Sequence, residues 1–227
     1  MSENHPFDFR GLAVWALVFL AGCRGAPKAA LPWEADIRAF EAEALPQAGG
    51  ILFVGSSSIR LWNVKESFPG LPVVRRGFGG SQLADSVRYA ERIVVPCRPR
   101  IVVLYAGDND IASGKSPEEV SRDFGRFVAV VRGALPETRI VYISIKPSIQ
   151  RWHLAAAMRK ANALIQGIAQ KDPLLSFVDV WPAMLGEDGK PRRELLADDG
   201  LHLSAEGYRV WSRLLLPHLG AGGHPGP

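Results

Sequence analysis

Cysteine is almost absent: the 227-residue chain holds two, Cys23 and Cys97, too few for a disulfide framework. Basic runs are missing as well. Its 27 Lys and Arg against 23 Asp and Glu leave a net charge of +4, spread along the chain without the basic block or aromatic-basic motif of a nucleic-acid module. Nucleic acid is therefore not an expected partner, and the dispersed cations suit an anionic lipid surface equally well. No His, Cys or carboxylate spacing repeats in a metal-ligand pattern, so no metal and no other cofactor is expected. Gly77, Gly79 and Gly80 lack the spacing of a dinucleotide fingerprint, and no internal repeat is visible. What is present is an ordinary core composition, 47% hydrophobic and 22% charged, at a length that fits one globular domain.

The two cysteines sit in unlike settings. Cys97, in Val-Val-Pro-Cys-Arg-Pro ahead of an apolar run, reads as a buried, inert thiol. Cys23 ends a stretch from Gly11 to Gly22 that is short for a membrane span and suits a signal-peptide core. Leu20-Ala-Gly-Cys23 resembles a bacterial lipobox. That resemblance implies a signal peptide over 1–22, a lipid on Cys23, a tether over 23–31 and a protein anchored in the cell envelope, facing the periplasm or the exterior. The leader's one side-chain cation, Arg10, stands with Glu3 and Asp8, so a single-pass anchor is an open alternative.

A domain is expected over 32–219, with a disordered tail over 220–227. Its first stretch, Pro32 to Leu45, reads as a helix with Ile37, Phe40, Ala44 and Leu45 on an apolar face. Short runs apolar on both sides follow at Ile51–Val54, Val73–Val74, Ile101–Tyr105, Ile140–Ile145 and Ser176–Val180. These suit buried parallel strands. Leu83–Arg92, Pro117–Leu135, Trp152–Gln170 and Ala205–Leu219 have helical length and period. The alternation predicts an α/β fold, an open parallel sheet with helices on both faces. Ligands of such sheets bind beyond the carboxyl ends of the strands, so the residues after each run carry the functional reading.

Those residues are Gly55-Ser-Ser-Ser58, Gly77-Phe-Gly-Gly-Ser81, Gly107-Asp-Asn-Asp110 and Lys146-Pro-Ser148, with Asp198-Asp-Gly-Leu-His202 before the last helix. Alone, Ser56, Ser57 and Ser58 read as helix caps as readily as nucleophiles. A serine needs a base to take its proton, and the base needs a third group to hold its tautomer. Asp199 and His202, three residues apart, can supply both; as a cap and a surface histidine they would do neither. The α/β-hydrolase elbow is excluded, because Ile59 occupies the second glycine of Gly-x-Ser-x-Gly.

The segments Ile51–Trp62, Gly77–Gly80, Gly107–Asp110 and Asp199–His202 are together similar to the four ordered blocks of SGNH (GDSL-type) hydrolases. The likeness spans Ile51 to Tyr208. It implies a three-layer α/β/α sandwich around a five-stranded, mainly parallel sheet of flavodoxin-like form, and a serine esterase. It also implies Ser57 as nucleophile, His202 as base, Asp199 as its orienter, and an oxyanion hole formed by Ser57, Gly80 and Asn109. The chemistry agrees: charge that develops on an ester oxygen needs preplaced donors, and neutral Asn109 offers N–H groups where its aspartate neighbours would repel an anion. Three positions depart from the pattern: Ser56 for the usual aspartate, Ser81 for a frequent acid and Arg75 for an asparagine. They bear on pocket polarity and substrate rather than on hydrolysis.

Substrate is the least legible feature. Lys146, Arg151 and Trp152 are expected to contact it, two cations orienting a polar or anionic leaving group and an indole stacking on a sugar face; surface solvation and core packing are the alternatives. The loops are short, which favours a short acyl ester, such as an acetyl ester on a carbohydrate or small molecule, over a lysophospholipid or thioester. An inactive glycan- or lipid-binding lipoprotein is the remaining alternative.

Overall fold

The computed structural model describes Met1 and residues 33–220. The signal peptide, Cys23 and the tether expected over 23–31 lie outside the described residues, as does the expected tail beyond Gly220. The described residues from Trp33 onward form one unit. Along it run α1 (Glu34–Ala42), β1 (Ile51–Gly55), α2 (Ser57–Arg60), α3 (Val64–Ser67), β2 (Val73–Gly77), α4 (Leu83–Ile93) and β3 (Ile101–Tyr105). There follow α5 (Asp108–Ala112), α6 (Pro117–Ala134), β4 (Arg139–Ile143), α7 (Ala155–Ala169), β5 (Leu175–Val178) and α8 (Ala205–Leu215).

The sheet is five-stranded and parallel, in the order β2-β1-β3-β4-β5. It separates two cores, because successive side chains of a strand point to opposite faces. Leu52, Val54, Val102 and Leu104 join the layer of α4, α6 and α7. Ile51, Phe53, Val103 and Tyr105 join Trp62 and Trp211 on the side of α8. Every residue of β1 and β3 is buried, and each such Ile, Leu, Val or Phe contributes about 1.5–3 kcal/mol of burial. This is the α/β sandwich expected from the sequence.

Helix ends follow local chemistry. Ser116 Oγ accepts from Glu119 N at 3.2 Å while Glu119 Oε2 accepts from Ser116 N at 2.8 Å, and Pro117 opens the first turn of α6, a capping box that fixes its start. Ser204 caps α8 by accepting from Gly207 N at 3.2 Å. The first helix departs from expectation: it stops at Ala42, Glu43 is extended, and Leu45 is exposed rather than on a packed face. Pro46 steers Leu45 away from helical dihedrals, and the extended segment lets Glu43 pair with the buried guanidinium of Arg76. The expected helix from Trp152 begins as a short tight turn, Trp152–Leu154, before α7. Cys97 is buried, its thiol against Ile93 O at 3.5 Å, and burial pushes that thiol up from its usual range. Among the described residues no helix is long and apolar enough to cross a membrane.

Chain order reverses between β1 and β3, since β2 lies on one side of β1 and β3 on the other. This switch point opens a crevice at the carboxyl ends of those strands. Ser57 follows β1 and Asn109 follows β3, so the topology alone brings them to one place.

Candidate active site

Gly55 makes the turn out of β1. Its φ is +140°, and a Cβ there would stand 1.9 Å from Tyr105 O, so only glycine lets the strands run together to their ends. Ser56 N then donates to Tyr105 O at 3.0 Å. Tyr208 on α8 donates its hydroxyl to Ser58 O at 2.9 Å. Ser57 is thus held from both sides, half-buried between buried Ser56 and Ser58.

Asp199, Leu201 and His202 form a tight turn ahead of α8. Asp199 Oδ1 accepts from Leu201 N and from His202 N, each at 2.9 Å. Its Oδ2 stands 2.5 Å from His202 Nδ1. A carboxylate can only accept, so Nδ1 carries the proton and Nε2 is left as the acceptor. Ser57 Oγ lies 2.9 Å from that Nε2. The hydrogen bond from His202, aided by the backbone donors, holds the Asp199 carboxyl down at about 2. Asp199 therefore remains an anion across the range in which an imidazole titrates.

Gly80 and Asn109 follow β2 and β3, the strands on either side of β1. Gly80 is exposed with φ +79°, and a Cβ there would meet nothing within 4 Å; the backbone conformation, not crowding, calls for glycine. Asn109 Nδ2 donates to Ser81 O at 3.0 Å, which orients the amide and leaves its second hydrogen for another acceptor. Asp110 is buried and accepts from Leu83 N at 3.1 and 3.2 Å and from Lys115 Nζ at 2.9 Å. Burial pushes the Asp110 carboxyl up and Lys115 opposes the shift.

The residues expected to contact substrate have partners of their own. Lys146 is buried, its ammonium 3.6 Å from Asp108 Oδ2. Arg151 donates to the same oxygen at 3.0 Å, and Asp108 Oδ1 accepts from Asn109 N at 3.0 Å. Trp152 is half-buried, one ring stacked with Trp181 at 6.2 Å and the ammonium of Lys190 over it at 5.3 Å. Lys146 and Trp152 thus both have partners within the protein. A buried carboxylate gathers cations because an unpaired charge out of water is costly. Sequence reading named Lys146 and Arg151 but not their shared pairing with Asp108; the one signal was that all three follow strand ends.

Reading also missed Trp33, whose Nε1 donates to Gly79 O at 2.7 Å. Among the described residues no cluster of His, Cys, Asp or Glu is placed to hold a metal ion.

Comparison with known proteins bears on this geometry. The model of the GDSL-like Lipase/Acylhydrolase family matches residues 60–210, a span that begins just after Ser57 and contains Gly80, Asn109, Asp199 and His202. No curated protein matches the chain. A Streptococcus pneumonia structure named for platelet activating factor is similar at 24% identity and TM-score 0.74, over 82% of this chain and 90% of that one. A GDSL-like lipase from Bacteroides thetaiotaomicron is similar at 19% identity and TM-score 0.70, over 83% and 97%. An acetyl-xylooligosaccharide esterase from a Geobacillus species, solved as a mutant, is similar at 17% identity and TM-score 0.62, over 79% and 98%. At these identities the solved structures share the fold.

Proposed function

Since the chain belongs to the GDSL-like lipase/acylhydrolase family and is a serine ester hydrolase of that type, we propose that it cleaves a short-chain acyl ester through an acyl-enzyme on Ser57. The observation that carries this reading is the hydrogen-bonded series Asp199, His202, Ser57. In the proposed mechanism Ser57 Oγ attacks the ester carbonyl as its proton passes to His202 Nε2. Asp199, accepting from Nδ1, stabilises the imidazolium. The N–H groups of Ser57 and Gly80 and the free hydrogen of the Asn109 amide receive the oxyanion. His202 returns the proton to the departing alcohol. Water, deprotonated in turn by His202, then releases the acid and restores Ser57.

Short acyl groups are favoured by the short connections after β1 and α5. Only residues 113–116 join α5 to α6 and only Ser56 separates β1 from α2, while Asp199 is exposed and His202 and Ser57 are half-exposed. A long acyl chain needs an apolar enclosure, and these connections are too short to build one. Acetyl esters of carbohydrates are natural test substrates, since a protein of this fold is an acetyl-xylooligosaccharide esterase. The experiment is kcat/KM across p-nitrophenyl esters from acetate to palmitate, with acetylated xylan and lysophospholipid alongside. The expected optimum is at acetate or butyrate; a steady climb to palmitate would favour a lipid acyl hydrolase.

Leu20-Ala-Gly-Cys23 supports the companion proposal that a lipid on Cys23 anchors the enzyme in the envelope. Cys23→Ser should then leave the membrane fraction or retain its leader.

A further inference from the structure

A trans peptide is planar, with its C=O and N–H on opposite sides, so fixing one fixes the other. The Gly80 N–H proposed to meet the oxyanion belongs to the same peptide as the Gly79 carbonyl. That carbonyl accepts from the indole Nε1 of Trp33 at 2.7 Å. Two consecutive glycines would otherwise let this peptide rotate at little cost; the indole supplies the restraint that their side chains cannot. The guanidinium of Arg60 also lies against Gly79, within 2.7–3.0 Å of where a Cβ would stand.

Trp33 itself is held at some cost. Its backbone is left-handed, φ 61°, a conformation that is strained for a bulky residue. The indole packs edge-on against Phe78, centroids 6.0 Å apart. Along the helix that Trp33 opens, Arg92 on α4 clamps α1 through two carboxylates, Glu34 at 2.9 Å and Glu41 at 2.7 Å. Strain kept at one residue, with an ionic clamp beside it and a hydrogen bond to the peptide of interest, has a consistent meaning if the indole's position matters to the reaction.

We propose that Trp33 is a positioning residue: its N–H locks the Gly79–Gly80 peptide so that the Gly80 N–H points at the developing oxyanion. The inference rests on the reading of Gly80 as an oxyanion donor. It predicts a loss confined to the transition state, because the donor is needed only when charge appears on the carbonyl oxygen.

The test is steady-state kinetics with p-nitrophenyl acetate, together with inhibition by a short-chain alkyl boronic acid, which forms a tetrahedral anion on an active serine. Trp33→Phe keeps a ring and removes the donor; Phe78→Leu loosens the ring's packing and keeps the donor. For Trp33→Phe the expected result is a kcat about 10-fold lower with KM within about twofold, and a boronate Ki raised by the same factor as kcat/KM falls. Phe78→Leu should change kcat and Ki less than Trp33→Phe does. Should Trp33→Phe lose its cooperative melt, Trp33→Met, which also has no donor, carries the same comparison. An unchanged kcat and Ki in the folded Trp33 variant would overturn the proposal, as would a rise in KM alone or equal losses in the Phe78 variant. Ser57→Ala separates the failures: activity retained there refutes the proposed reaction, whereas a dead Ser57→Ala beside an unaffected Trp33→Phe refutes only the role of the indole.

Discussion

Two aspartate-bearing segments, the turn before α8 and the start of α5, use the residue in opposite ways. In the turn before α8, Asp199 is 45% exposed and serves one imidazole; three hydrogen bonds hold its charge. In α5, just after β3, Asp108 and Asp110 are buried and paired with Lys146, Arg151 and Lys115. Exposure leaves the first pair free to exchange a proton with an incoming group. Burial makes the second set costly to disturb, and it fixes where Asn109 stands between them. The lesson is that the reacting charges and the supporting charges are separated by solvent access, not by residue type or by distance along the chain.

The sharpest break of that comparison is His202→Ala. It should lower kcat about 10⁴-fold or more and leave the melting temperature nearly unchanged, since truncating a half-exposed side chain outside the core costs little stability; circular dichroism melts beside the kinetics check both. In the wild type, kcat/KM should fall toward acid along a single limb as an imidazole takes up a proton. Asp199, depressed to about 2, is still ionised throughout that limb and adds no second step.

Asp110→Ala should do the reverse. It strands Leu83 N–H and removes one of the two carboxylates on Lys115, the other being Asp123 at 3.0 Å. The expected loss is about 2–3 kcal/mol in urea unfolding, with kcat falling far less than in His202→Ala. Asp110→Asn should cost less than the alanine, because the amide oxygen still accepts and burial already disfavours the anion.

The smallest effect is expected from Arg92→Met, which releases half-buried Glu34 and exposed Glu41. Salt bridges of this kind contribute little, so the urea midpoint should move only slightly. The sign with pH is defined: Arg92, through its hydrogen bond to Glu34, holds that carboxyl down from 4.5 to about 2. Its contribution is present above pH 4.5 and lost as pH falls toward 2, so variant and wild type should converge there.

Much of this was legible in the chain. Ile51–Gly55 and Ile101–Tyr105 are apolar at every position but the terminal glycine and tyrosine, which only strands buried on both faces require, and the functional blocks follow such runs. The spacing of Asp199 and His202 carried their pairing, because a tight turn brings residues three apart together. What was illegible is long-range. Nothing near Lys146 or Arg151 announces that Asp108 will collect them from 38 and 43 residues away, and nothing near Trp33 points to a carbonyl 46 residues on. The end of α1 at Ala42 was missed because apolar Ala44 and Leu45 extend the helical period, while Pro46 and the pull of Arg76 on Glu43 end the helix earlier.

The most direct measurement is covalent trapping of the nucleophile. Incubation with a short-chain fluorophosphonate, followed by peptide mass spectrometry, should place one phosphonyl group on Ser57 in the wild type, none in Ser57→Ala, and a much slower adduct in His202→Ala. Label on Ser56 or Ser58, or p-nitrophenyl acetate turnover by Ser57→Ala at the wild-type rate, would contradict the account.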